Sequence, residues 1–347
     1  MQSTTGKRTE REDSEEPDTG KRVKHEEGTH IFRDLGLPIP GRLTQTYTHL
    51  SAHRGTTTTT GEGYVLGVDE AGRGPVLGPM VYAACYCRDS YYDELSSLGF
   101  ADSKQLTEHQ RTQLFATLQT TQANAGWAVR CISPHDISTS MLRVAKYNLN
   151  AMAHDATIAL LTQVLRYCNV TRVYVDTVGP PASYQRKLEL LFPAIKFTVA
   201  KKADSLYPIV SAASVCAKVI RDAHLQYWVF PEPHIVVSRV FGSGYPGDPN
   251  TVKWLRSSVD QVFGYPDIIR FSWSTCAKLL DELAVPVLWP DDDDDSASRK
   301  NQKSNRAGTA KTIRGLFAAA TTSSPNANRQ RSKFFTRRPG ILLNTTL

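Results

Sequence analysis

No apolar run in this 347-residue chain approaches the length of about 18 needed to span a bilayer, so the sequence reads as soluble rather than membrane-bound. The six cysteines, Cys85, Cys87, Cys131, Cys168, Cys216 and Cys276, sit mostly within apolar runs and form no C-x-x-C pair. That removes the usual zinc and dithiol spacings and fits a reducing compartment. Residues 296–347 contain no Asp or Glu against eleven Lys/Arg, so the formal charge of +7 belongs to this tail. Such a tail suits either a polyanion partner or a solvated linker. Large apolar residues are scarce in residues 1–62, which carry nine Lys/Arg, ten Asp/Glu and the tract Thr56–Thr60. This segment is expected to be disordered, and its acid content does not suit a transit peptide. Within it, Lys21-Arg22-Val23-Lys24 is compatible with nuclear import.

Globular composition runs from about Gly63 to Pro290. Five apolar runs read as strands: Tyr64 to Val68, Met80 to Cys87, Trp127 to Ile132, Arg172 to Asp176 and Lys196 to Ala200. Thr107 and Gln110 form a potential capping box ahead of a helix carrying Leu114, Phe115 and Leu118. A longer amphipathic helix is expected from Leu149 to Tyr167, and another after Pro208, whose small residues from Ser211 to Ala217 permit close packing. Thr251 to Val259 and Ser274 to Leu283 also read as helices. The short turn between the first two runs favours antiparallel pairing, and helices between the later ones favour parallel pairing. The fold class is therefore α/β, a mixed sheet flanked by helices with a small, mostly helical C-terminal extension. The expected divisions are 1–62 disordered, 63–230 catalytic, 231–290 C-terminal helical, and 291–347 an acidic run followed by a disordered basic tail.

The sequence Val68-Asp69-Glu70-Ala71-Gly72-Arg73-Gly74 places adjacent carboxylates at the end of a strand. Side chains alternate along a strand, so the two are expected to converge where the chain leaves the sheet. Glycines around Arg73 let backbone groups approach a ligand. Asp176 closes one later strand and Asp204 follows another, and residues at or just past strand ends gather at one sheet edge. Four crowded acids repel unless a cation joins them, and hard divalent ions such as Mg²⁺ or Mn²⁺ take oxygen ligands. Helix capping is the alternative role for Asp176 or Asp204.

These motifs, together with Asp102-Ser103-Lys104, Lys146-Tyr147-Asn148-Leu149-Asn150, Lys202-Ala203-Asp204 and Gly242-Ser243-Gly244-Tyr245-Pro246, resemble those of the type 2 ribonuclease H family over roughly Tyr64 to Trp289. The resemblance implies a ribonuclease H fold that cuts the RNA strand of RNA–DNA hybrids and nicks duplex DNA 5′ of embedded single ribonucleotides. It implies Asp69, Glu70, Asp176 and Asp204 as catalytic ligands of two Mg²⁺ or Mn²⁺ ions. It assigns recognition of the ribose 2′-OH to Gly72, Arg73 and Gly74, and packing on the following deoxyribose to Tyr245. Ser103, Lys104 and Lys202 are implied phosphate contacts. Local alternatives remain for several of these: a carboxylate pair for Arg73, turn packing for Tyr245, and simple solvation for the lysines.

The basic cluster 21–24 makes a nuclear location the expectation, and the resemblance also implies two accessory subunits, which would dock partly on Ser274 to Trp289. Pro231 and Pro233 depart from the family pattern ahead of Tyr245. Ile313/Leu316/Phe317 and Arg331/Phe334/Phe335 loosely match a sliding-clamp peptide without its leading glutamine. Two rivals stand beside the main reading: a non-catalytic nucleic-acid-binding protein with a structural metal, and a DNA-cutting enzyme on a similar fold.

Overall fold

The structure is a computed structural model that describes residue 37 and residues 43–51, 61–100, 106–121, 124–145, 147–177, 179–230 and 237–286. Ser103 and Lys104, the basic cluster 21–24, Pro231 and Pro233, the acidic run and the basic tail lie outside the described residues.

Five strands fall where the apolar runs place them: β2 (Tyr64–Ala71), β3 (Met80–Arg88), β4 (Ala125–Ile132), β5 (Val170–Asp176) and β6 (Lys196–Ala200). A sixth, β1 (Tyr47–Leu50), pairs with β4. It corrects the reading of residues 1–62 as wholly disordered. Four half-buried residues on a sheet edge leave little apolar signal, and here the partner strand supplies the order. The sheet order is β1-β4-β3-β2-β5-β6. β2 pairs antiparallel with β3 and parallel with β5, and β6 runs parallel to β5.

The short helix α1 (Tyr92–Ser97) is followed by α2 (Glu108–Thr120), whose Thr107 and Gln110 close both bonds of the capping box. Then come α3 (Pro134–Met141), α4 (Leu149–Val164), α5 (Pro181–Leu191), α6 (Pro208–Gln226), α7 (Pro249–Ser257) and α8 (Ser274–Leu283). One face of the sheet packs on α6 with α1 and α2, the other on α4 and α5. Alternation along β2 sends Val65 to the first core and Tyr64, Leu66 and Val68 to the second. A strand buried on both faces is apolar throughout, which is why it reads as a continuous run. Ser211, Ala212, Ala213, Ser214 and Ala217 of α6 are fully buried, consistent with close packing of that helix on the sheet.

The C-terminal helices do not stand apart. Trp254, Leu255, Cys276 and Leu279 share a third core with Val76 and Leu77, the residues just after Gly74 and Pro75. The described residues through Val285 belong to one compact unit. Among the described residues, no helix is long and apolar enough to cross a membrane.

Candidate active site

Strand β2 continues through both acids to Ala71 instead of ending at Val68. Asp69 and Glu70 nevertheless converge. The parallel ladder of β2 with β5 stops at Val68 opposite Val175, so Asp176 emerges beside Asp69 at the carboxyl edge of both strands. Asp69 bends back to accept a hydrogen bond from the Glu70 backbone N–H at 2.7 Å. Each of Asp69, Glu70 and Asp176 brings a carboxylate oxygen within 4.8 Å of the others. Asp204 is buried in the short 3-10 turn Ala203–Ser205 but lies outside that mutual set. The turn is tied to the cluster because Asp176 accepts from the Ala203 N–H at 2.8 Å.

The electrostatics follow from this crowding. Burial first, and then the Asp176 charge, push the Asp69 carboxyl above the usual range. Glu70 is raised by burial and by both neighbouring aspartates. A hydrogen bond from Ser214 and the charge of Lys218 partly offset the rise at Asp69, while Arg73 and Lys218 do so at Glu70. Three hard oxygen donors that cannot comfortably be charged together fit a divalent cation.

Beside the acids the chain makes the Gly72-Arg73-Gly74 loop. Gly72 has φ +78°, and a Cβ there would meet the Arg221 side chain at 2.2 Å, so both conformation and space require glycine. Arg73 donates to the Asn150 side chain and to the Leu149 carbonyl at the start of α4. Its charge also acts on the Glu70 carboxylate, so the guanidinium links the start of α4 to the acids. Tyr245 stands 53% exposed, with its ring against Gly74. Its loop is fixed because Val76 N–H donates to the Gly244 carbonyl at 2.8 Å and Asp248 accepts from both Ser243 groups. Those hydrogen bonds hold Asp248 well below the usual range, down to about 2. The motif therefore reaches the site whatever path residues 231–236 take.

Sequence reasoning missed the element that shapes this loop. Arg270, fully buried, donates through Nη2 to the Gly72 carbonyl at 2.6 Å and through Nη1 to those of Arg73 and Pro75. Its Nε takes the Gly78 carbonyl. Trp273, whose ring lies 5.0 Å from the Arg270 guanidinium, donates to the Gly74 carbonyl at 3.1 Å. Four consecutive carbonyls, 72 to 75, thus face one Arg/Trp pair. Arg270 and Gly72 are 198 residues apart, and no spacing pattern signals such a contact. His154 was also missed. It stacks on Tyr184 at 3.9 Å and lines, with Arg73, Glu70 and Asp176, the cleft beside the acids. Lys202, exposed and left-handed at φ 57°, caps the turn that carries Asp204.

The family model for ribonuclease HII matches residues 66–276, spanning this loop, the acids and the Arg270 segment. The chain belongs to the ribonuclease HII family. It is 53% identical over 228 residues to a ribonuclease H2 subunit of Mus musculus, covering 65% of this chain and 76% of that protein. With the corresponding ribonuclease H2 subunit of Homo sapiens it is 51% identical over 247 residues, covering 71% and 81%. The ribonuclease H2 crystal structure from Pyrococcus horikoshii OT3 superposes with a TM-score of 0.54 at 31% identity, over 63% of this chain and 98% of that one. As a ribonuclease HII family member the chain is a type 2 ribonuclease H, an endonuclease acting on RNA in RNA–DNA hybrids.

Proposed function

We propose that this ribonuclease nicks duplex DNA on the 5′ side of single embedded ribonucleotides as well as cutting hybrids, leaving 3′-hydroxyl and 5′-phosphate ends. The observation that carries the reading is the arrangement of Tyr245 against Gly74, in the loop directly beside the acid cluster. Gly72, Arg73 and Gly74 read the 2′-OH, the group that separates RNA from DNA. Tyr245 packs on the next sugar, where its ring tolerates a 2′-hydrogen better than a hydroxyl.

Asp69, Glu70 and Asp176, with Asp204 from the adjoining turn, would hold Mg²⁺ or Mn²⁺. When bound, a pair of such ions supplies activation of the attacking water and stabilisation of the leaving oxygen. The chain's own part is positional: Asp69 and Asp176 set the spacing at the strand ends, and Lys202 with Ser103 and Lys104 contacts backbone phosphates. The enzyme is proposed to act in the nucleus. It is proposed to work with two accessory subunits docked partly on α8, since its relatives are themselves named as subunits of ribonuclease H2. A sliding-clamp contact through Ile313/Leu316/Phe317 or Arg331/Phe334/Phe335 of the tail is also proposed. The test is incubation with Mg²⁺ and a duplex containing one ribonucleotide. A single nick 5′ to that ribonucleotide, absent from an all-DNA duplex, is expected. Binding without any nick would favour a non-catalytic nucleic-acid-binding role, and equal cutting of all-DNA duplex a DNA-directed enzyme.

A further inference from the structure

The acid cluster faces a cation supplied by the chain itself. Lys218 lies one helical turn after Ser214 on α6, and its ammonium donates to the Ser214 hydroxyl at 2.6 Å. Ser214 is fully buried, and its hydroxyl bonds in turn to the Asp69 carboxylate. The Lys218 charge acts on both Asp69 and Glu70, and on Asp222 one turn further along the helix. Ammonium, hydroxyl and carboxylate therefore form a short relay that enters the acids from α6, whereas Arg73 and His154 line the open cleft.

We infer that Lys218 is a built-in counter-cation of the metal centre: it balances part of the acid charge when divalent ions are absent and thereby limits how tightly those ions are held. The inference rests on the acids being a metal site. An ammonium stabilises crowded carboxylates and repels an arriving dication, so removing it has two effects of opposite sign. The metal-free protein loses stability, while divalent ions bind more tightly. A lysine that only packs α6, or only orients Asp69 through Ser214, gives a different result: loss of stability with unchanged or weakened ion binding.

The measurement is calorimetric titration of the full chain with Mn²⁺ alone, without nucleic acid, comparing wild type, Lys218→Gln and Lys218→Arg at low and physiological salt. Lys218→Gln is expected to bind Mn²⁺ about fivefold more tightly at low salt, with the difference narrowing as salt rises. Lys218→Arg keeps the charge and is expected to stay within about twofold of wild type. If Lys218→Gln folds poorly without metal, the Mn²⁺ dependence of its thermal midpoint reads the same affinity. Equal or weaker Mn²⁺ binding by Lys218→Gln, with wild type binding normally, overturns the inference and leaves the metal site standing. Failure of the wild type to bind Mn²⁺ overturns both.

Discussion

Gly74 and Tyr245 share one space: a β-carbon built on Gly74 would lie 2.9 Å from Cε1 of the tyrosine ring. The ring is exposed, so it can yield where a backbone could not. Gly74→Ala is therefore expected to leave global stability within about 1 kcal/mol of wild type while displacing Tyr245 from the junction. Nicking at a single ribonucleotide should fall about tenfold or more, a loss of about 1.4 kcal/mol in transition-state stabilisation. Because the effect runs through the ring, the double variant Gly74→Ala/Tyr245→Ala should nick no worse than Tyr245→Ala alone. Additive losses in that cycle would show that Gly74 acts independently of the tyrosine.

Arg270 offers a second prediction. Its fork satisfies four carbonyls inside the protein, and a lysine ammonium cannot reproduce a planar set of donors. Arg270→Lys should cost about 2–4 kcal/mol by denaturant titration and reduce nicking beyond what the stability loss explains. Full activity in a folded Arg270→Lys protein would mean the loop keeps its shape without the fork.

How much of this was readable in the sequence depended on distance along the chain. β2, β3 and the helix after Asn148 carry their burial in local apolar patterns, so their positions were legible. The acids and the Gly-Arg-Gly loop are contiguous and could be found as motifs. β1 was missed because its order comes from Cys131 and its neighbours on β4, and from Tyr47, whose hydroxyl bonds His224 Nε2 of α6 at 2.8 Å. α5 was missed because its face toward the sheet buries little beyond Tyr184 and Leu188. Arg270 and Lys218 gain their meaning from residues brought together only by folding.

Lys202 separates backbone from side chain. Among the described residues it is the one non-glycine at positive φ, next to Ala203, which bonds Asp176. Lys202→Gly relieves the left-handed conformation, whereas Lys202→Ala keeps it. Glycine should exceed alanine in stability by about 1 kcal/mol, with both losing the same phosphate affinity in a salt titration of duplex binding. Unequal affinities would point to the turn's shape rather than the ammonium.

The raised Asp69 and Glu70 carboxyls set a pH dependence in the metal-free protein. Burial and the neighbouring carboxylates hold both above their ordinary 3.8 and 4.5, so over a window that opens near pH 4 and closes where the folded pair ionises, the folded state binds more protons than the unfolded chain. Stability should then fall as pH rises through that window. Buried His224, lowered to about 4 by desolvation, works in the other direction between about pH 4 and 6.5. Comparison with Asp176→Asn removes its contribution. That variant should be inactive, at least as stable as wild type at neutral pH, and flatter in its pH profile. Lower stability of metal-free Asp176→Asn would instead assign Asp176 a structural role through Ala203.

The most direct test of the acid cluster as a metal centre is anomalous diffraction from crystals of the full chain grown with Mn²⁺. The account predicts Mn²⁺ with oxygens of Asp69, Glu70 and Asp176 at coordination distances on the order of 2 Å. Saturating Mn²⁺ that leaves these three carboxylates without a bound ion would contradict it.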